Sequence, residues 1–160
     1  MSMISARVRR SIRVVVPAFT LAMLAAVPAW SLVQPAWVGW GFGADGNVAC
    51  FPRSTTSVRN ECTIGRFFAV SFPTTVNANH TVRGRVAGNG VTATQCNAWA
   101  YAADFSSAHG TPAAGNTSST PALITMGNIF VAADETLQVE CWVAPKLPSG
   151  IMGRLISFGD

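Results

Sequence analysis

The chain has 160 residues, a hydrophobic fraction of 49% and a formal net charge of +4. This length suits one domain with a substantial core rather than several domains. Four of the eleven basic residues and none of the seven acidic ones lie in residues 1–30, so residues 31–160 carry equal numbers of both. Nucleic-acid binding needs a clustered basic surface, and the sequence therefore predicts no nucleic-acid partner.

The first thirty residues have the pattern of a secretory signal peptide. Four arginines between positions 7 and 13 precede an uncharged apolar stretch over residues 14–27, and small residues then permit cleavage after Ala29 or Ser31. The alternative is a membrane anchor, but about 14 apolar residues fall short of the ~20 that span a bilayer. We predict a signal peptide over residues 1–30 and a secreted or periplasmic domain over residues 31–160, with no stable membrane span after cleavage.

The rest of the chain consists of short apolar runs separated by Gly, Pro and Asn, with no sustained helical period. An aromatic, glycine-rich segment over residues 37–42 comes first. Strands are then predicted over residues 67–72, 80–86, 91–103, 123–131, 137–143 and 151–158. This pattern predicts an all-β fold, a single antiparallel β-sandwich.

The connections between these strands follow from turn residues and composition. Gly88-Asn89-Gly90 is a strong turn signal, since Asn-Gly readily adopts positive φ. Residues 106–121 are small and polar, which predicts a surface loop. The strands at 123–131 and 137–143 are predicted to pair as a hairpin across residues 132–135.

The strand at 137–143 alternates strictly between apolar and polar positions. Cys141 shares its apolar face with Val139 and Val143, which places Trp142 and Glu140 on the opposite face. The strand therefore contributes both to the core and to a cross-link.

The four cysteines are predicted to form two disulfides, because the chain is exported and small. Three connectivities are possible. We favour Cys50–Cys62, which closes a local loop, and Cys96–Cys141, which joins two strong strands. A zinc site would need closely spaced Cys or His pairs, which are missing here, so we predict no metal and no cofactor.

The residues around the cysteines give the chain a characteristic layout. The relevant stretches are Ala49-Cys50-Phe51-Pro52, Cys62-Thr63-Ile64-Gly65-Arg66, Cys96 and Glu140-Cys141-Trp142-Val143-Ala144-Pro145, followed by a last strand near Asp160. This layout resembles that of small exported bacterial proteins with four cysteines and no known activity. The resemblance implies a secreted β-sandwich and assigns no activity or site residues.

The sequence offers no catalytic set. His80 and His109 are the only histidines, no Gly-x-Ser-x-Gly motif is present, and the acids of residues 31–160 are scattered near turns. His109 is predicted to be a solvated loop residue, and Glu140 a solvated glutamate on the polar face of its strand. We therefore predict an exported non-enzymatic structural or interaction domain.

One alternative function is a carbohydrate-binding module that uses exposed aromatic residues, and a second is a hydrolase of unrecognised type. If Cys96 faces inward to meet Cys141, then Trp99, Tyr101 and Trp142 lie on outer faces, where they would form an aromatic platform for a glycan or protein ligand. A bulge after Cys96 would instead bury Trp99, and residues 37–40 folded across the platform would cover it.

Overall fold

The structure is a computed structural model that describes residues 34–35, 40–42, 48–52, 56–72 and 74–160. All of these belong to one compact unit over residues 31–160. The predicted signal peptide, and residues 37–39 of the predicted cover, lie outside the described residues. Within the described part of the chain, no helix is long and apolar enough to cross a membrane.

The fold is all-β, as predicted. In chain order the strands are β1 (Gln34–Pro35), β2 (Trp40–Phe42), β3 (Val58–Arg59), β4 (Arg66–Phe72), β5 (Ala78–Ala87), β6 (Thr94–Ala102), β7 (Ala108–Gly110), β8 (Ala114–Asn116), β9 (Ala122–Val131), β10 (Glu135–Val143) and β11 (Arg154–Gly159). The five-stranded sheet has the order β1-β11-β5-β9, with β3 also on β11. The six-stranded sheet has the order β2-β4-β10-β6-β7, with β8 also on β6. The strand pairs are antiparallel, and the two packed sheets confirm the predicted sandwich.

The core lies between the inner faces of the two sheets. In β10, Leu137, Val139, Cys141 and Val143 are buried, which confirms the alternation predicted for this strand. The inner face of β6 carries alanines after Cys96, whereas β9 contributes Met126 and Ile129 from the opposing sheet. The small side chains of β6 therefore lie in a core whose large side chains come from both sheets, including Phe68 of β4 and Phe158 of β11.

Both predicted disulfides are present. Cys96 and Cys141 lie directly opposite one another in the β6–β10 pair, with their Cα atoms 4.0 Å apart. Cys50–Cys62 closes the loop before β4, with a Cα separation of 5.1 Å. Disulfides of this kind persist in oxidising environments such as the periplasm or the extracellular space.

The predicted hairpin between residues 123–131 and 137–143 is wrong. β9 pairs with β5 in one sheet, whereas β10 pairs with β4 and β6 in the other. The chain therefore crosses from sheet to sheet between them, in a turn where the Glu135 carboxylate accepts a hydrogen bond of 2.8 Å from the Ala132 amide. Two strands with buried inner faces show the same alternation whether they pair or face each other across a core, so the pattern could not separate the two arrangements.

The turn at Gly88-Asn89-Gly90 forms, but it also connects strands of different sheets. Gly90 has a φ of 90°, while Asn89 is fully buried and holds the loop through its side chain. Its Oδ1 accepts hydrogen bonds from the amides of Val91 and Thr92, and its Nδ2 donates to the carbonyl of Pro145. Residues 91–93 are thus held in this turn, and β6 begins at Thr94 rather than at the predicted residue 91.

Residues 106–121 are not only a surface loop. They contain β7 and β8, which pair with the outer edge of β6. Strands this short, on an edge, are held by backbone hydrogen bonds and need few apolar side chains, so their composition resembles that of a loop.

We expect the double variant Cys96→Ala, Cys141→Ala to lose about 4 kcal/mol of unfolding free energy, since its bond closes the longer loop. The matched variant Cys50→Ala, Cys62→Ala should lose about 3 kcal/mol. Urea denaturation of both variants and the parent measures the two losses. A larger loss in the Cys50–Cys62 variant would contradict this ranking.

Candidate ligand-binding surface

The outer face of the six-stranded sheet carries the aromatic residues singled out from the sequence. The pairing of β6 with β10 runs without a register shift from Ala102 to Gln95, so Cys96 and the alanines of β6 point inward along its whole length. The structure places Trp99, Tyr101 and Trp142 on the outer face, and each is half-buried. No bulge buries Trp99.

The three rings fall into two separate groups rather than one platform. Trp99 and Tyr101 are neighbours, with ring centroids 6.2 Å apart, and Phe105 extends the group at 5.9 Å from Tyr101. Trp142 lies opposite Gln95 on β6, and the Glu140–Asn97 pair lies between it and the Gln138–Trp99 pair. A polar row therefore divides the aromatic surface.

Trp99 is covered on one side by the edge strand. It pairs with Gly110 of β7, and a Cβ on that glycine would lie 2.6 Å from the indole ring. In the orientation that satisfies its neighbours, the Asn97 amide accepts the indole N–H of Trp99 and donates to the backbone carbonyl of Glu140 at 3.1 Å. The Trp99 N–H is therefore already used within the protein.

Glu140 lies on the outer face and is partly exposed, and its carboxylate is also the centre of a hydrogen-bond network that the sequence did not predict. Its Oε1 accepts a hydrogen bond of 2.7 Å from the Tyr101 hydroxyl and one of 2.9 Å from the Gln138 amide. Ser71 Oγ donates to Gln138 Oε1 at 3.5 Å, which extends the network to β4. Burial, the hydrogen bond to Glu140 and the charge of that carboxylate together raise the pKa of Tyr101 to about 12.

Beside Trp142 the surface contains a groove of about 510 Å³, which we call the Trp142 groove. Phe67 of β4 lies opposite Trp142 in the strand register and is 47% exposed. Among the residues that the structure describes, seven line the groove and all are uncharged: Phe67, Thr92, Ala93, Gln95, Asn97, Ala113 and Trp142. The groove thus combines two aromatic rings with two side-chain amides.

The ring of Trp142 packs closely against the backbone of the residue before β4. A Cβ on Gly65 would lie 1.9 Å from the indole, so only a glycine permits this close approach. Phe67, Gln95 and Asn97 were not predicted as site residues. For Gln95 and Asn97 the signal is the disulfide, because a bond between Cys96 and Cys141 as opposite residues sets Gln95 opposite Trp142 and Asn97 opposite Glu140. Phe67 depends on the separate pairing of β4 with β10, which the disulfide does not determine.

Both histidines have structural partners. His80 is buried, with Nδ1 against the Asp160 carboxylate and Nε2 2.8 Å from the carbonyl of Thr75. His109 lies in β7 rather than in a loop and is half exposed. Its Nε2 is 2.9 Å from the carbonyl of Phe130, so the ring joins the edges of the two sheets. Among the described residues, no three His, Cys, Asp or Glu side chains are grouped so as to hold a metal ion.

Comparison with known proteins assigns no ligand to this surface. No protein-family model matches the chain, and no curated protein matches it. The functional proposal therefore rests on the geometry of the Trp142 groove and the network around Glu140.

Tyr101 is the only tyrosine in the chain, so its ionisation can be followed directly. We expect near-ultraviolet absorbance to give a pKa of about 12. The variant Glu140→Gln should lower this pKa, because it removes the charge, and burial should keep it above the usual ~10. Since the folded-state pKa is the higher one, this contribution to stability is complete below pH ~10 and is lost as the pH rises toward 12.

The control for this titration is Glu61→Gln, which removes the same charge at an exposed position beside Arg59. It should leave the Tyr101 titration unchanged. A Tyr101 pKa that is identical in the parent and in Glu140→Gln would show that the network does not form in solution.

Proposed function

We propose that residues 31–160 are an exported, non-enzymatic interaction domain whose ligand surface is the outer face of the six-stranded sheet. The observation that carries the proposal is the Trp142 groove, a concave site of about 510 Å³ on an otherwise regular sheet. Ligand sites are typically concave, with apolar walls and a few polar groups that fix orientation.

Two features support export. Residues 1–30 combine a basic start, an apolar stretch and small residues at a cleavage position. The two disulfides are of a kind that forms and persists in oxidising compartments. Their presence also supports a structural role for all four cysteines.

The hydrogen bonds that the potential acid–base side chains make within the protein support a non-enzymatic role. His80 is buried between Asp160 and a backbone carbonyl, and His109 is bonded to the carbonyl of Phe130. Glu140 is held by Tyr101 and Gln138. General acid–base catalysis needs such groups aimed at a substrate, whereas these are committed to bonds within the fold.

The chemistry of the Trp142 groove favours a neutral carbohydrate as the ligand. Sugar rings present apolar C–H faces that pack on aromatic rings, and Trp142 and Phe67 offer two such rings. Sugar hydroxyls both donate and accept hydrogen bonds, which matches the side-chain amides of Gln95 and Asn97. The described residues that line the groove are all uncharged, which fits a neutral ligand.

A glycan array probed with the mature protein tests this proposal. We expect binding to neutral oligosaccharides that falls at least about tenfold in Trp142→Ala and in Phe67→Ala, because buried aromatic anchors commonly account for 2 kcal/mol or more of binding. The matched control is Phe130→Ala, which removes a phenylalanine of the same 47% exposure from the other sheet. Equal losses in Phe67→Ala and Phe130→Ala would place the site elsewhere.

An array without any bound glycan would overturn the carbohydrate assignment and leave a protein ligand as the alternative. A protein partner would cover far more than the groove, about 800 Å² of this surface. Binding of such a partner should also weaken in a Phe105→Ala variant, because this ring beside Tyr101 is 77% exposed.

A further inference from the structure

The outer face of the five-stranded sheet carries an arginine pair, Arg83 and Arg85. They occupy alternate positions of β5, so both side chains project from the same face, and both are exposed. Within the described part of the chain, neither guanidinium forms a salt bridge or a side-chain hydrogen bond. The face therefore presents two positive charges at alternate positions of one strand.

The neighbouring strands form a pocket around this pair. Ser157 of β11 lies opposite Arg85, and Gly159, which has no side chain, lies opposite Arg83. Leu123 flanks Arg85 from the β9 side. The pocket they line has a volume of about 200 Å³.

Among the described residues, one acid lines the pocket, and its carboxylate is directed elsewhere. Asp160 borders it, but its carboxylate is hydrogen-bonded to Nδ1 of the buried His80. Residues 31–160 contain as many acids as bases, so partners for both arginines exist in the sequence. The fold nonetheless leaves both guanidinium groups facing solvent.

We propose that Arg83 and Arg85 form a binding site for one oxyanion group, a carboxylate, sulfate or phosphate. Guanidinium groups match the planar and tetrahedral geometry of these anions with paired N–H donors, and the Ser157 hydroxyl adds a further donor beside Arg85. A pocket of about 200 Å³ holds a single group of this size. The site lies on the opposite sheet from the Trp142 groove and does not depend on the function of that groove.

The test is an NMR titration of the mature protein with sodium sulfate, against sodium chloride at equal ionic strength. We expect saturable shifts of the side-chain Nε–Hε signals of Arg83 and Arg85 with sulfate, while Arg154, which donates to the carbonyl of Ser119, stays unchanged. The variants Arg83→Lys and Arg85→Lys keep the charge but lose the paired donors, and each should weaken sulfate binding at least about tenfold. Lys146→Gln, which removes a charge in the loop after β10, should bind sulfate as the parent does.

A second arm identifies the source of the oxyanion. If the natural oxyanion is carried on a polymer, dextran sulfate should bind more than tenfold tighter per sulfate than the free ion, and neutral dextran should not bind. Equal affinities for dextran sulfate and free sulfate would indicate a free ion. Both results require the loss in the two lysine variants. Shifts that chloride reproduces, or lysine variants that bind like the parent, would overturn the site.

Discussion

Cys96 and Cys141 are opposite residues of two neighbouring strands, and their disulfide fixes the register on which the six-stranded sheet depends. A slip of one residue would move every inward side chain of β6 or β10 to the outer face. The covalent bond excludes that slip, so Val139 and Val143 stay in the core while Glu140 and Trp142 stay outside. The same bond thus stabilises the core and determines the composition of the outer surface.

The outer surface of this sheet is ordered by polar contacts rather than left to solvent. Glu140 joins Tyr101 and Gln138, Asn97 holds the indole of Trp99, and Gly65 permits the close approach of Trp142. Side chains fixed in this way lose little entropy when a ligand binds, which favours affinity in a small site. On the five-stranded sheet, Arg83 and Arg85 are exposed and have no salt bridge or side-chain hydrogen bond among the described residues. The two proposed sites would therefore take ligands of different charge.

The fold class, both disulfides and the outward position of Trp99, Tyr101 and Trp142 could be predicted because each depends on local alternation or on cysteine chemistry. Strand pairing could not, since β9 and β10 follow one another in the chain yet belong to opposite sheets. A bulge at Gly127, where φ is 111°, also changes which alternate residues of β9 face the core. The sequence of residues 123–131 gives no sign of this bulge. The network of Glu140 needs the cross-strand register, which becomes available only when Cys96 is set opposite Cys141.

The proposed ligand site of the domain is the Trp142 groove. The most direct measurement is an NMR titration of the mature protein with neutral oligosaccharides of cellulose, xylan, chitin and starch, with the indole N–H signals as reporters. We expect one of these ligands to shift the Trp142 signal saturably, while the Trp99 signal, whose N–H is bonded to Asn97, moves little. A ligand that shifts residues of the five-stranded sheet and leaves Trp142, Gln95 and Asn97 unchanged would contradict it.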